Sequence, residues 1–177
     1  LWDGADKEHR LSPTADSPAY PRVPHPIVYT VLTVPFGAVS GYVSVAMAFL
    51  ATRFGLSVED GAPLIAAGMV PHVWKFFWAP IVDTKLTRKR WYVISAVVCA
   101  AGITAMSAIP LAKQNLFLLE GVIFVTNLAS TFLGMSVEGL MTHATPPEQR
   151  GRVGGWFQAG NLGGSGLGGG AGLWMAT

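Results

Sequence analysis

The chain has 177 residues, 51% of them hydrophobic and 12% charged, against about 25% charged in an ordinary soluble domain, which disfavours a water-soluble globule. Twelve Lys and Arg against ten Asp and Glu give a formal net charge of +2. The basic residues are bunched between long uncharged runs, so no nucleic-acid partner is indicated, and the lone Cys99 excludes an intrachain disulfide or a cysteine-rich metal site.

Residues 1–26 are polar and punctuated by proline (SPTADSPAYPRVPHP). They lack an apolar period and read as a flexible leader. From Ile27 to Thr52 no side chain is charged, and about 20 apolar residues suffice for a helix to cross a hydrocarbon core. This stretch is the first predicted span, over 27–52. The break RFGLSVEDG precedes a second span over 62–82, and further spans follow over 91–112, 116–142 and 153–177. Strands and soluble helices are about half as long, and inside lipid a continuous helix satisfies every backbone amide and carbonyl. Strict in–out alternation, the mark of a membrane barrel, is absent. The expected fold is therefore an all-α polytopic helical membrane protein with five transmembrane helices and almost no soluble domain. The chain opens at Leu1 without a cleavable signal segment and stops at the still hydrophobic LWMAT, so a piece of a longer protein is expected.

Orientation follows from the basic connections. Lys85, Arg88, Lys89 and Arg90 follow the second span, and Arg150 and Arg152 follow the fourth. These loops are expected to face the cytoplasm, and the leader with Lys7, Arg10 and Arg22 falls on the same side by parity. The other two connections carry only Arg53 and Lys113.

Ionisable groups at bilayer depth are functional candidates by default. His72 and Lys75 lie three residues apart in the second span, hence on one helix face, and Lys75 sits about 12 Å above Asp83 at 1.5 Å per residue. Lys75 either snorkels to the headgroups or lines a central cavity, where it attracts an anionic solute or a carboxylate partner. Glu138 lies near the inner end of the fourth span and approaches the depth of Lys75. A desolvated Lys75–Glu138 pair would serve as a proton-coupled switch. Asn127, Gln158 and Asn161 would bond a ligand or join helices. Gly160, Gly164, Gly168 and Gly172 recur every fourth residue, a smooth stripe for close helix packing. The G-x-G-x-x-G match within GNLGGSGLGGGAG is not a dinucleotide site, because it lies inside a span rather than after a strand. Pro35, Pro71 and Pro80 are expected to kink their helices. No metal, nucleophile-elbow or phosphate-loop motif occurs, so neither an enzyme nor a cofactor is expected.

A first helix containing PFG (Pro35 to Gly37), a second ending WKFFWAPIVD (Trp74 to Asp83), a basic loop, and PPEQRGR after the fourth helix together resemble the N-terminal half of a major facilitator superfamily transporter. Within it, K-F-F-W-A-P-x-x-D is similar to the muropeptide-permease and acetyl-CoA-transporter branch. The resemblance implies a six-helix N-terminal bundle, of which five helices are visible, and twelve helices in the full carrier. The partner would be a missing C-terminal half, with a solute cavity between the halves. It also implies an inner gate in which Asp83 pairs with Arg88, Arg90, Arg150 and Arg152, although DTKLTRKR lacks the usual glycine of that motif. The expected function is a proton-coupled secondary transporter of a small organic solute in a bacterial cytoplasmic membrane. The alternative is a non-transporting scaffold whose glycine stripe and basic loops bind partner proteins.

Overall fold

The computed structural model describes residues 24–84 and 86–176. Most of the leader (1–23) and Lys85 therefore lie outside the described residues, as does the side chain of Asp83. Every regular element among the described residues is helical. α1 (Ile27–Gly41) passes without interruption through Pro35 into a π-helical turn, Tyr42–Met47, and then α2 (Ala48–Arg53). The irregularity of the first span thus falls at the π turn, where one extra residue is accommodated, rather than at the proline.

The second span departs further from a single helix. α3 (Val58–Val73) starts earlier than the apolar run suggests, because Ser57 accepts from the Asp60 amide while the Asp60 carboxylate accepts from the Ser57 amide. This reciprocal cap satisfies two otherwise orphaned donors. α3 stops at Trp74, and α4 (Lys75–Thr84) leaves at 51° to it. The break lies between Pro71 and Pro80, each of which removes one amide from the ladder.

α5 (Arg88–Ala108), α6 (Leu116–Ala144) and α7 (Arg150–Ala176) complete the chain. By length and composition, three helices qualify to cross a membrane, Ile27–Arg53, Arg88–Ala108 and Lys113–Ala144, with α3 and α4 together forming a fourth, bent candidate. α7 has the length, 27 residues or about 40 Å at 1.5 Å per residue, but its glycines hold its apolarity below that of the others.

α6 is the central helix and packs against α1, α3, α4 and α5. It buries Thr126, Asn127, Ser130, Thr131 and Ser136 besides its apolar residues. Thr126, Asn127, Thr131 and Ser136 each return a hydrogen bond to the carbonyl four residues back, at 2.6–2.9 Å, which satisfies polar side chains within their own helix. At the Lys113 end, Tyr42, Met47, Leu64, Met106 and Leu119 form one apolar core, and toward the opposite end Tyr29, Leu133, Val137 and Val153 form another.

The closest approach is between α1 and α7. A Cβ on Gly160, Gly164 or Gly168 would fall on the backbone of Thr30, Val34 or Ala38, and one on Gly172 would strike Ala46. The fit is reciprocal, since a Cβ on Gly37 or Gly41 would strike the backbone of Asn161 or Ser165. Thr30 Oγ1 donates to the Trp156 carbonyl at 2.8 Å, and Ser165 Oγ to the Gly37 carbonyl at 3.1 Å. Gly163, Gly166 and Gly170, on the other sides of α7, face open space.

Candidate functional site

Two polar stations lie along the face that α6 presents to α3 and α4. At the first, His72 on the last turn of α3 sits with its Nε2 3.4 Å from Asn127 Oδ1 and its Nδ1 3.5 Å from Thr131 Oγ1. Asn127 and Thr131 are one helical turn apart, so both reach the same ring. Phe36 of α1 meets that ring edge-on, at 5.7 Å between centroids. Both contacts are long, and Asn127 and Thr131 also bond within α6, so the imidazole is cradled rather than tightly held.

The second station lies beyond the break. Lys75, the first residue of α4, places Nζ 2.7 Å from Glu138 Oε1 and 2.6 Å from Oε2, so the ammonium bridges both carboxylate oxygens. The pair is half-buried, with side-chain exposures of 38% and 41%.

A cavity of ≈ 300 Å³ opens beside the pair, lined by Lys75, Arg88, Glu138, Gly139, Thr142 and His143 among others. Arg88, on the first turn of α5, lays its guanidinium across Gly139, where any Cβ would displace it. Its Nη1 lies 3.2 Å from His143 Nδ1. A guanidinium has only donors, so Nδ1 accepts and the ring proton resides on Nε2.

The remaining sequence candidates are dispersed. Gln158 is exposed on α7, and Asn161 is half-buried with its backbone against Gly37; neither joins the His72–Glu138 face. Of the residues expected in an inner gate, Arg88 is half-buried, whereas Arg90, Arg150 and Arg152 are exposed. Their expected partner is Asp83, whose side chain is outside the described residues. Sequence reasoning missed Thr131, although its offset of four from Asn127 pointed to it. It had no signal for Arg88 folding back onto Gly139.

An all-helical bundle with ionisable side chains paired inside it is the build of a polytopic membrane carrier. The chain matches the family model described as Major Facilitator Superfamily over residues 21–177 and belongs to that superfamily. Its members are membrane transporters rather than enzymes, so this is an integral membrane protein of the transporter class. No curated protein and no solved structure matches the chain.

Proposed function

We propose that the chain forms the N-terminal half of a proton-coupled secondary transporter that moves a small organic solute by alternating access, with Lys75 and Glu138 as the coupling pair. The observation that carries this is the two-oxygen contact of Lys75 Nζ with Glu138 at 2.6–2.7 Å, made across a helix interface that also contains a break of 51°. With Glu138 ionised, the pair ties α4 to α6. A proton on Glu138 removes the attraction and biases the bundle toward the state in which α4 is released. Two states can interconvert in this way only if the proton's differential effect is comparable with their separation.

His72, loosely cradled by Asn127 and Thr131 on the α3 side of the break, would leave Trp74 as the point about which α4 moves. The basic loops would face the cytoplasm, where Asp83 with Arg88, Arg90, Arg150 and Arg152 would close the inner end. Placement in the muropeptide-permease branch of the superfamily rests on the Lys75–Asp83 segment alone. The glycine stripe packs against α1 of the same chain, so the scaffold alternative would rest on the basic loops alone.

The test is accumulation of a mixed metabolite pool, driven by a proton gradient, in vesicles carrying the full-length protein. Wild type is expected to concentrate at least one solute, identified by mass spectrometry, and Glu138→Gln to lose that gradient response. Equal accumulation in both would overturn the assignment of Glu138.

A further inference from the structure

We propose that His72 is a second proton-binding site of the transporter, built to hold its ring as an imidazolium between Asn127 Oδ1 and Thr131 Oγ1; this deepens the transport reading above and rests on it. The hydrogens around the ring can be assigned from the bonds its neighbours make. Asn127 Nδ2 donates to the Ile123 carbonyl at 2.9 Å, so the atom facing His72 Nε2, at 3.4 Å, is the acceptor Oδ1. Thr131 Oγ1 commits its one hydrogen to the Asn127 carbonyl at 2.9 Å, so its lone pairs face His72 Nδ1 at 3.5 Å. Both ring nitrogens therefore look onto acceptors. A neutral imidazole has a single N–H and serves one of them. At the other nitrogen lone pair opposes lone pair, unless Thr131 turns its hydrogen away from the α6 backbone. An imidazolium, with an N–H on each nitrogen, serves both at once.

Asn127 and Thr131 are both buried, and buried polar atoms find their partners within the protein. From α6 the ring is faced by these two side chains and from α1 by Phe36, none of them ionisable. From α4 the nearest described charge is Lys75, three residues on, whose ammonium is matched by Glu138. The π turn beside α3 carries Tyr42, whose hydroxyl bonds Ser107. Arg53, Glu59 and Asp60 lie at the opposite end of α3. Lys75 and partial burial oppose a charge on the ring, and the two acceptors favour it. Charge-assisted bonds shorten to about 2.7–2.9 Å, so a proton on His72 draws α3 onto α6. A proton on Glu138 instead releases α4 and unmasks Lys75, which repels a second proton from the ring. The two sites thus oppose one another, and a proton exchanged between them moves the tie on α6 from one side of the break to the other.

The experiment is nitrogen NMR of the full-length protein in detergent with isotope-labelled histidine, the His72 ring being assigned by its loss in His72→Gln. Between about pH 8 and pH 5, where an imidazole changes charge, the ring is expected to pass from a proton on Nε2 alone to protons on both nitrogens while the protein stays folded. At the pH where half of the wild-type rings carry two protons, the ratio of doubly to singly protonated ring should fall at least threefold in Thr131→Val, which removes one acceptor, and recover in Thr131→Ser, which keeps the oxygen. Glu138→Gln, which unmasks Lys75, should lower the same ratio at least twofold. A wild-type ring that keeps one bare nitrogen over the whole range would overturn the proposal, whatever the variants' folding. A ratio unchanged in Thr131→Val would overturn the role of the cradle, and one unchanged in Glu138→Gln the opposition of the two sites. Failure of the transport reading shows differently: the ring would titrate as expected while vesicles accumulated nothing.

Discussion

The seams of α6 with α3 and α4 and of α7 with α1 use opposite chemistry. Between α1 and α7, glycines bring backbone against backbone, and the side-chain hydrogen bonds that cross the seam end on carbonyls. Between α6 and the α3–α4 pair, the contacts are side chain to side chain: a loosely cradled imidazole and a half-exposed ion pair, on either side of a helix break. Close packing of small residues gains dispersion energy that falls steeply with separation, so the first seam has one good geometry. The second is the seam on which the proposed coupling rests, because its ion pair would change with a proton on Glu138. A carrier needs both kinds, a rigid strut and an adjustable joint.

The largest expected effect breaks the strut. Gly164→Leu places a side chain on the Val34 carbonyl and should destabilise by about 3 kcal/mol or more, seen as loss of monodisperse protein or a large fall in thermal midpoint. Gly163→Leu, one residue away on the open side, should remain within about 0.5 kcal/mol. Equal damage at both positions would dissolve the contrast between the two seams. At the joint, Lys75→Ala should leave folding nearly unchanged but lower gradient-driven uptake at least tenfold, equivalent to about 1.4 kcal/mol. Thr131→Val keeps shape and removes the hydroxyl facing His72, with an expected effect of about 1 kcal/mol or less, read as a few-fold rise in the solute KM. The smallest effect belongs to the ion pair of Lys113 with Asp60, 2.9 Å apart, which lies outside the joint and has a largely exposed lysine. Lys113→Ala should change neither stability nor uptake measurably.

Sequence and structure agree most where a local rule governs. Long uncharged runs define helices because lipid allows little else, and the depth of Lys75 and Glu138 in their spans follows from rise per residue. The four-residue glycine period marks a smooth face on α7, but its counterpart, Gly37 and Gly41 on α1, is visible only once the two helices meet. The break at Trp74 was not legible, since Pro35, Pro71 and Pro80 gave equal warning and only Pro71, Pro80 and the packing of Lys75 on Glu138 combine to bend a helix. Pro35 bends nothing comparable, as α1 is held along its length by α7. Arg88 was hidden for a different reason. Its sequence neighbours mark a basic loop, and only the absent side chain of Gly139, on another helix, draws it into the cavity.

The most direct test of Glu138 as the proton-coupling group separates exchange from accumulation. In vesicles containing Glu138→Gln, counterflow of the solute that wild type accumulates needs only alternating access, whereas net accumulation needs a proton to be carried with it. The account predicts that counterflow persists while gradient-driven accumulation falls at least tenfold. Accumulation at the wild-type level in the same vesicles would contradict it.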